Sequence, residues 1–253
     1  MSARKKVILD ILDEKGSVQL SDLEKVFPDV SVMTLRRDLI SLEGQGQLIR
    51  THGGAVKVGT VLSASGEESA YASREHEQKY AKRTIANKAL EFIETGRSIY
   101  FDAGSTIMNL CNVLPDNNYS IITSGINIGE NLLKKERPSV IVLGGFSNRN
   151  TFSVSGPLAI SALDTLNIDI AFMSASGFSF DSNFTVSNIY EAELKRAAIS
   201  KAKKVIMLMD SSKINKVLPY TFAKLSDIDA LVTDYDLPEE LKAQIVKAGV
   251  AVL

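Results

Sequence analysis

The turn Asp102-Ala103-Gly104-Ser105-Thr106 carries residue types that hold an anion. It follows an apolar run, Ser98–Phe101, and opens a helical pattern, so a strand is expected to run into a helix there. That geometry leaves free backbone N–H groups and the positive end of a helix dipole at the carboxyl edge of a sheet. Gly104 permits close approach of a ligand, and the hydroxyls of Ser105 and Thr106 add donors. A single small-residue turn is common without any ligand. Three more strand ends repeat the chemistry, however: Thr123-Ser124-Gly125, Gly144-Gly145 and Ser174-Ala175-Ser176-Gly177. Lys213, in Asp210-Ser211-Ser212-Lys213 after a further strand, supplies a point charge suited to phosphate. The expected contacts to a phosphorylated effector are Asp102, Gly104, Ser105, Thr106, Thr123, Ser124, Gly144, Gly145, Ser176, Gly177 and Lys213.

A second constellation lies near the N-terminus, in Ser31-Val32-Met33-Thr34-Leu35-Arg36-Arg37. Leu35, Leu39 and Leu42 mark the core side of a helix. Val32, Met33 and Arg36 then project away from that core, flanked by Ser31, Thr34 and Arg37. Hydroxyls and helix N-terminal amides suit phosphates, and arginine grips phosphate or pairs with guanine. Arg50, ending the short glycine-bracketed strand Leu48-Ile49-Arg50, and His52 lie on the wing, placed to meet the flanking DNA backbone or minor groove. An ordinary solvated arginine pair balanced by Asp38 would look the same in isolation. The order of elements around it decides for double-stranded DNA as partner.

Those elements are three short helices and a hairpin. Val7, Ile8, Ile11 and Leu12 form one stripe, and Lys15-Gly16 ends the first helix. Ser21-Asp22-Leu23-Glu24 reads as a capping box, with Leu23, Val26 and Phe27 as the buried face and Pro28 as the stop. Ser31 is the N-cap of the third helix. Residues 1–56 thus form a winged helix-turn-helix. Residues 57–78, with Ser63-Ala64-Ser65-Gly66, have a linker composition. Residues 79–253 alternate apolar runs with helical patterns, giving a Rossmann-like, mostly parallel α/β domain with strands covered on both faces.

Composition narrows the class further. The 253 residues are 45% hydrophobic and 23% charged, enough for two cored domains. Net charge is −1, and the first 56 residues hold eight bases and eight acids, so DNA binding must rest on placement rather than sum. No apolar run reaches membrane-spanning length, and Asp10, Asp13 and Glu14 interrupt any secretory core, so a cytoplasmic chain is expected. One cysteine, Cys111, reads as a buried small hydrophobe. With only His52 and His76 beside it, neither a disulfide nor a metal centre is expected, and no cofactor is implied. Glu191 and Lys195, four residues apart on a helix, read as a surface ion pair.

Residues 4–55 resemble the DNA-binding domain of the DeoR family of bacterial sugar-catabolism regulators. The resemblance rests on Arg4, Ile8, Leu12, Ser31 to Leu39, Leu42-Glu43, Gly46, Leu48, Arg50 and His52-Gly53-Gly54-Ala55. The stretch from Leu12 to Ser31 is one residue longer than the family pattern. Residues 82–233 resemble the family's sensor domain, similar in fold to ribose-5-phosphate isomerase, through Asp102 to Thr106, Leu143-Gly144-Gly145, Ser153 to Gly156, Asp169 to Phe172, Gly177, Glu191-Ala192, Lys195 and Asp210 to Lys213. Ser124 stands where the family commonly has asparagine. The resemblance implies a repressor of a carbohydrate operon, a sugar-phosphate inducer, and a dimer or tetramer on DNA. The alternative is a sugar-phosphate isomerase. That chemistry needs a positioned base, and Ser174–Asn183 holds a single acid, Asp181.

Overall fold

A computed structural model describes residues 3–15, 17–44, 47–51, 54–57, 71–235 and 237–253. The chain divides into two units, Met1–Ser69 and Ala70–Leu253.

The first unit runs α1 (Ala3–Lys15), β1 (Ser17–Gln19), α2 (Leu20–Val26), α3 (Val32–Gly44), β2 (Leu48–Thr51) and β3 (Gly54–Lys57). Ile8, Leu12, Leu23, Leu35, Leu39 and Leu42 share one core with Val18, Leu48 and Ala55. Val7 and Val26, expected in the stripes, are exposed. The capping box at Ser21 does not form. Helix α2 begins at Leu20, with Gln19 as an N-cap that makes no side-chain bond. The cause is β1, unforeseen from sequence: it pairs with β3, Gln19 opposite Gly54, and feeds straight into α2. A Cβ on Gly54 would lie 2.0 Å from the Val18 carbonyl oxygen, so this pairing demands glycine. Ser31 does cap α3, its Oγ accepting from Thr34 N at 3.3 Å. The three strands, in order β1-β3-β2, make the wing.

The second unit opens with α4 (Tyr71–His76) and α5 (Lys79–Ala89). Helix α4 lies inside the segment expected to be linker. Tyr71 is buried, and its ring meets Phe152 edge-on at 5.6 Å, so burial overrides the polar composition around it. There follow β4 (Ser98–Phe101), α6 (Ser105–Val113), β5 (Ser120–Thr123), α7 (Ile126–Leu132), β6 (Ser139–Val142), β7 (Phe146–Asn148), β8 (Ser153–Ser155) and α8 (Pro157–Leu163). Then come β9 (Ile168–Ser174), β10 (Gly177–Ser179), β11 (Asn183–Val186), α9 (Ile189–Lys201), β12 (Ala202–Leu208), β13 (Tyr220–Ala223), β14 (Ala230–Val232), α10 (Glu239–Lys247) and β15 (Ala251–Val252).

Seven strands form one sheet in the order β15-β14-β12-β9-β4-β5-β6, every neighbouring pair parallel. Alternate residues feed two cores: Tyr100, Ala171, Met173 and Met207 on one face, Phe101, Phe172, Ile206 and Leu208 on the other. Strand β6 is the exception to double coverage, because Ile141 and Val142 at this edge are exposed. The β7–β8 hairpin, the antiparallel β10-β11-β13 sheet and β15 escaped the sequence reading, being too short for periodicity to register. The chain builds outward from β4 to β5 and β6, then resumes on the other side with β9. The order therefore reverses between β4 and β9, the crevice where such sheets bind ligands.

Candidate functional site

Helix α3 presents Ser31, Val32, Met33, Arg36 and Arg37 as exposed residues, with Thr34 half-buried and its hydroxyl 2.9 Å from that of Ser31. Asp38 does not balance the arginines as an ordinary solvated pair would have it: it is buried and paired with Arg4 of α1. That pair fixes α3 against α1. Arg50 lies on β2 opposite Ala55, and His52 falls outside the described residues.

In the second unit, parallel strands deliver every β-to-α turn to one edge. Gly104 adopts φ +133°, a conformation strained for any side chain, and a Cβ there would approach Ser174 Oγ to 3.1 Å. It starts α6, with Ser105 and Thr106 buried in the first turn. Asp102 is committed below this turn. Its Oδ2 accepts from Ser174 N at 2.9 Å and Ser174 Oγ at 3.0 Å, and pairs with Lys195. Lys195, 1% exposed, also donates to the Ser174 carbonyl at 3.1 Å and meets Glu191 at 3.3 Å. The expected surface ion pair is thus a buried one. Lys195 falls in the covered stripe of α9 with Ala192 and Ala198, and the cost of desolvating it is offset by two carboxylates and a carbonyl. The cluster ties β4 to β9 at the point where the strand order reverses.

The other expected contacts separate. Thr123 is wholly buried, its Oγ1 accepting from Gly125 N at 3.0 Å, and the Ser124 carbonyl accepts from Val154 N at 2.8 Å. Ser176 N donates to the Thr185 carbonyl at 3.1 Å. Two glycines serve close backbone packing, since a Cβ on Gly145 would lie 2.5 Å from Ser155 O and one on Gly177 2.4 Å from Lys216 O. Gly144 has open space around it. Strands β6 and β12 stand four steps apart, roughly 19 Å at about 4.8 Å per step. One small phosphate ester does not reach both Gly144 and Lys213.

Cations gather instead around the β12 turn. Lys213 ends a 3₁₀ turn, Ser211–Lys213, that two aspartates hold. Asp210 Oδ1 accepts from Ser212 N at 3.1 Å, and Asp234 accepts from Ser211 N at 2.8 Å and Ser211 Oγ at 2.9 Å. Asp210 Oδ2 is buried and accepts no hydrogen bond among the described residues. Lys82, on α5, is 2% exposed. Burial pushes its pKa down from 10.5 to about 8; Asp210 opposes this, Lys213 adds to it, Glu77 opposes it and Arg74 adds to it. Helix α5, which carries Lys82, packs on α6, and Lys82 lies in the electrostatic field of Asp210 and Lys213 at the β12 turn. Sequence reasoning missed Lys82, yet a signal existed: it lies in register with the buried Ile85, Ala86 and Ala89 of the same helix. A lysine inside an apolar stripe is buried for a reason.

Two acids bear on the isomerase alternative. Asp181 sits exposed between β10 and β11, and Asp102 is held by Lys195 and Ser174.

Two family models match the chain: the DeoR-like helix-turn-helix domain over residues 4–60 and the DeoR C terminal sensor domain over residues 77–235. The chain is 33% identical over 244 residues to the uncharacterized HTH-type transcriptional regulator YulB of Bacillus subtilis, covering 96% of this chain and 93% of that one. It is also 33% identical over 242 residues to the L-fucose operon activator of Haemophilus influenzae, covering 96% and 95%. Ribose 5-phosphate isomerase A of Methanocaldococcus jannaschii is 18% identical, with a TM-score of 0.40 over 53% of this chain and 54% of that one. Both relatives are named as transcriptional regulators. With both domains matched in order and most of its length covered, this chain belongs to the DeoR family of helix-turn-helix transcriptional regulators.

Proposed function

We propose that the chain represses a carbohydrate operon by placing α3 in the major groove of operator DNA, and that a phosphorylated sugar at the β4–β12 edge releases it. Acting on operator DNA, it works in the cytoplasm. Helix α3 leads with Ser31, Val32, Met33 and Thr34. Its exposed Arg36 and Arg37, with Arg50 and His52 of the wing, supply phosphate and base contacts. Two copies, or four, read half-sites one or more helical turns apart.

The observation that carries the effector reading is the meeting of opposite needs at one edge. Lys82 is held in a buried place where its charge is costly, Lys213 is close enough to add to that cost, and α6 turns its N-terminus to the same sheet edge behind Gly104, whose φ of +133° disfavours any side chain. A phosphate dianion relieves that cost, with Gly104, Ser105 and Thr106 donating from the helix end. Asp210 Oδ2 is the acceptor left for a sugar hydroxyl.

Thermal-shift screening against sugar phosphates tests the effector, because ligand binding raises stability with concentration over Kd. Binding to the chain's own upstream DNA, at fixed salt, tests the rest. Arg36→Ala is expected to lose operator binding while keeping the sugar-phosphate shift. Loss of both in a folded variant overturns the division of labour. The Haemophilus relative's name, operon activator, makes the sign of the response the second thing this assay decides.

A further inference from the structure

We propose that Lys82 is a coupling residue: the anion that captures its ammonium releases the C-terminal end of helix α4, the element on which the chain enters the sensor unit. The inference rests on the anion site argued above and adds a mechanical consequence to it.

Six residues do not make a stable helix in water, so α4 persists because both of its ends are held. At its start, Tyr71 N donates to the Asn150 carbonyl at 2.7 Å, and the buried ring packs on Phe152. At its end, carbonyl oxygens that no longer have helical partners need donors. Lys82 Nζ supplies them, donating to the carbonyls of Arg74 and, at 2.7 Å, of Glu77. A cation at this end also suits the helix dipole.

The same ammonium lies in the field of Lys213 and Asp210 at the anion site. An ammonium has three protons, of which two serve neutral carbonyls. Charge-assisted bonds to a phosphate dianion are roughly twice as strong as those to neutral acceptors. A phosphate that draws more than the third proton competes with α4 for one side chain, and the end of α4 is the weaker claimant. Helix α4 is the first described element of the sensor unit, so loosening it acts at the start of that unit. The coupling is reciprocal: a state in which α4 is firmly capped binds phosphate less well.

The test is hydrogen exchange on the full chain, with ribose 5-phosphate and inorganic phosphate as probes and calorimetry to establish binding. Saturating ribose 5-phosphate is expected to speed exchange of amides in 71–79 at least tenfold while slowing that of 104–108. Lys82→Met is expected to speed 71–79 to the same degree with no probe present, whereas Lys82→Arg, which keeps a cationic cap, stays close to the parent. Binding that leaves 71–79 unchanged or better protected overturns the coupling and spares the site. Normal exchange at 71–79 in a folded Lys82→Met chain overturns it without reference to any ligand. Neither probe nor any other sugar phosphate binding at millimolar concentration removes the site, and the coupling falls with it.

Discussion

Raising the pH through the pKa of Lys82 gives the sharpest check on the anion site. In the empty protein the ammonium titrates at about 8, lowered from 10.5 by burial first, with Lys213 and Arg74 adding to the shift and Asp210 and Glu77 opposing it. A phosphate dianion beside it restores the charged form. If binding returns the pKa to 10.5, the observed affinity follows the ratio of protonated fractions in the free and bound states. At pH 7 both are near unity. At pH 9 only about one tenth of the free protein carries the proton while nearly all of the complex does, so affinity falls about tenfold, or about 1.4 kcal/mol. The phosphate itself is already dianionic through this range, its second pKa lying near 6. Calorimetry in buffers of different ionisation heat should therefore find close to one proton taken up per ligand at pH 9 and close to none at pH 7. Folding stability shifts in the matching sense. Because the folded pKa is below the unfolded one, the unfolded chain binds more protons between about 8 and 10.5, and the empty protein gains stability as pH rises through that window. Lys82→Met should flatten both profiles. Affinity independent of pH in the parent, or an unchanged slope in the variant, refutes the placement of Lys82 at the ligand.

Two further substitutions probe the frame beneath the site. Asp102→Leu leaves Lys195 buried with one partner fewer and is expected to cost about 3 kcal/mol in urea unfolding of the sensor unit. Adding Lys195→Met should recover part of that loss, and a strictly additive double variant would show the pair is not coupled. Gly104→Ala forces a side chain to φ +133° against Ser174. It should lower stability by about 1–3 kcal/mol and weaken sugar-phosphate binding in calorimetry more than tenfold, leaving operator affinity intact.

Much of the architecture follows from pattern alone. The stripes Ile8–Leu12 and Leu35–Leu39–Leu42 place three helices around one core, and the runs at Ser98–Phe101, Ser120–Thr123 and Ala230–Val232 are strands at those same residues. Local periodicity suffices there because each element buries one continuous set of side chains. The turn at Gly104 is legible for the same reason, since a strand must stop and a helix must start with an unusual backbone between them. What the sequence could not supply depends on residues far apart in it. Strand β1 exists because Gly54 lets another strand approach Val18, and that partner cost α2 its expected cap. Glu191 and Lys195 look like a surface pair until β9 and Asp102 close over them. Gly144 and Lys213 look like members of one rim until the strand order sets them four strands apart. Lys82 acquires its depressed pKa and its two carbonyl partners only where α4, α5 and the β12 turn meet. Sequence determined which segments would be helix, strand and turn, because those are decided by neighbours along the chain. Which charges are buried, and against what, was decided by packing between elements, because desolvation is a property of the space around a group.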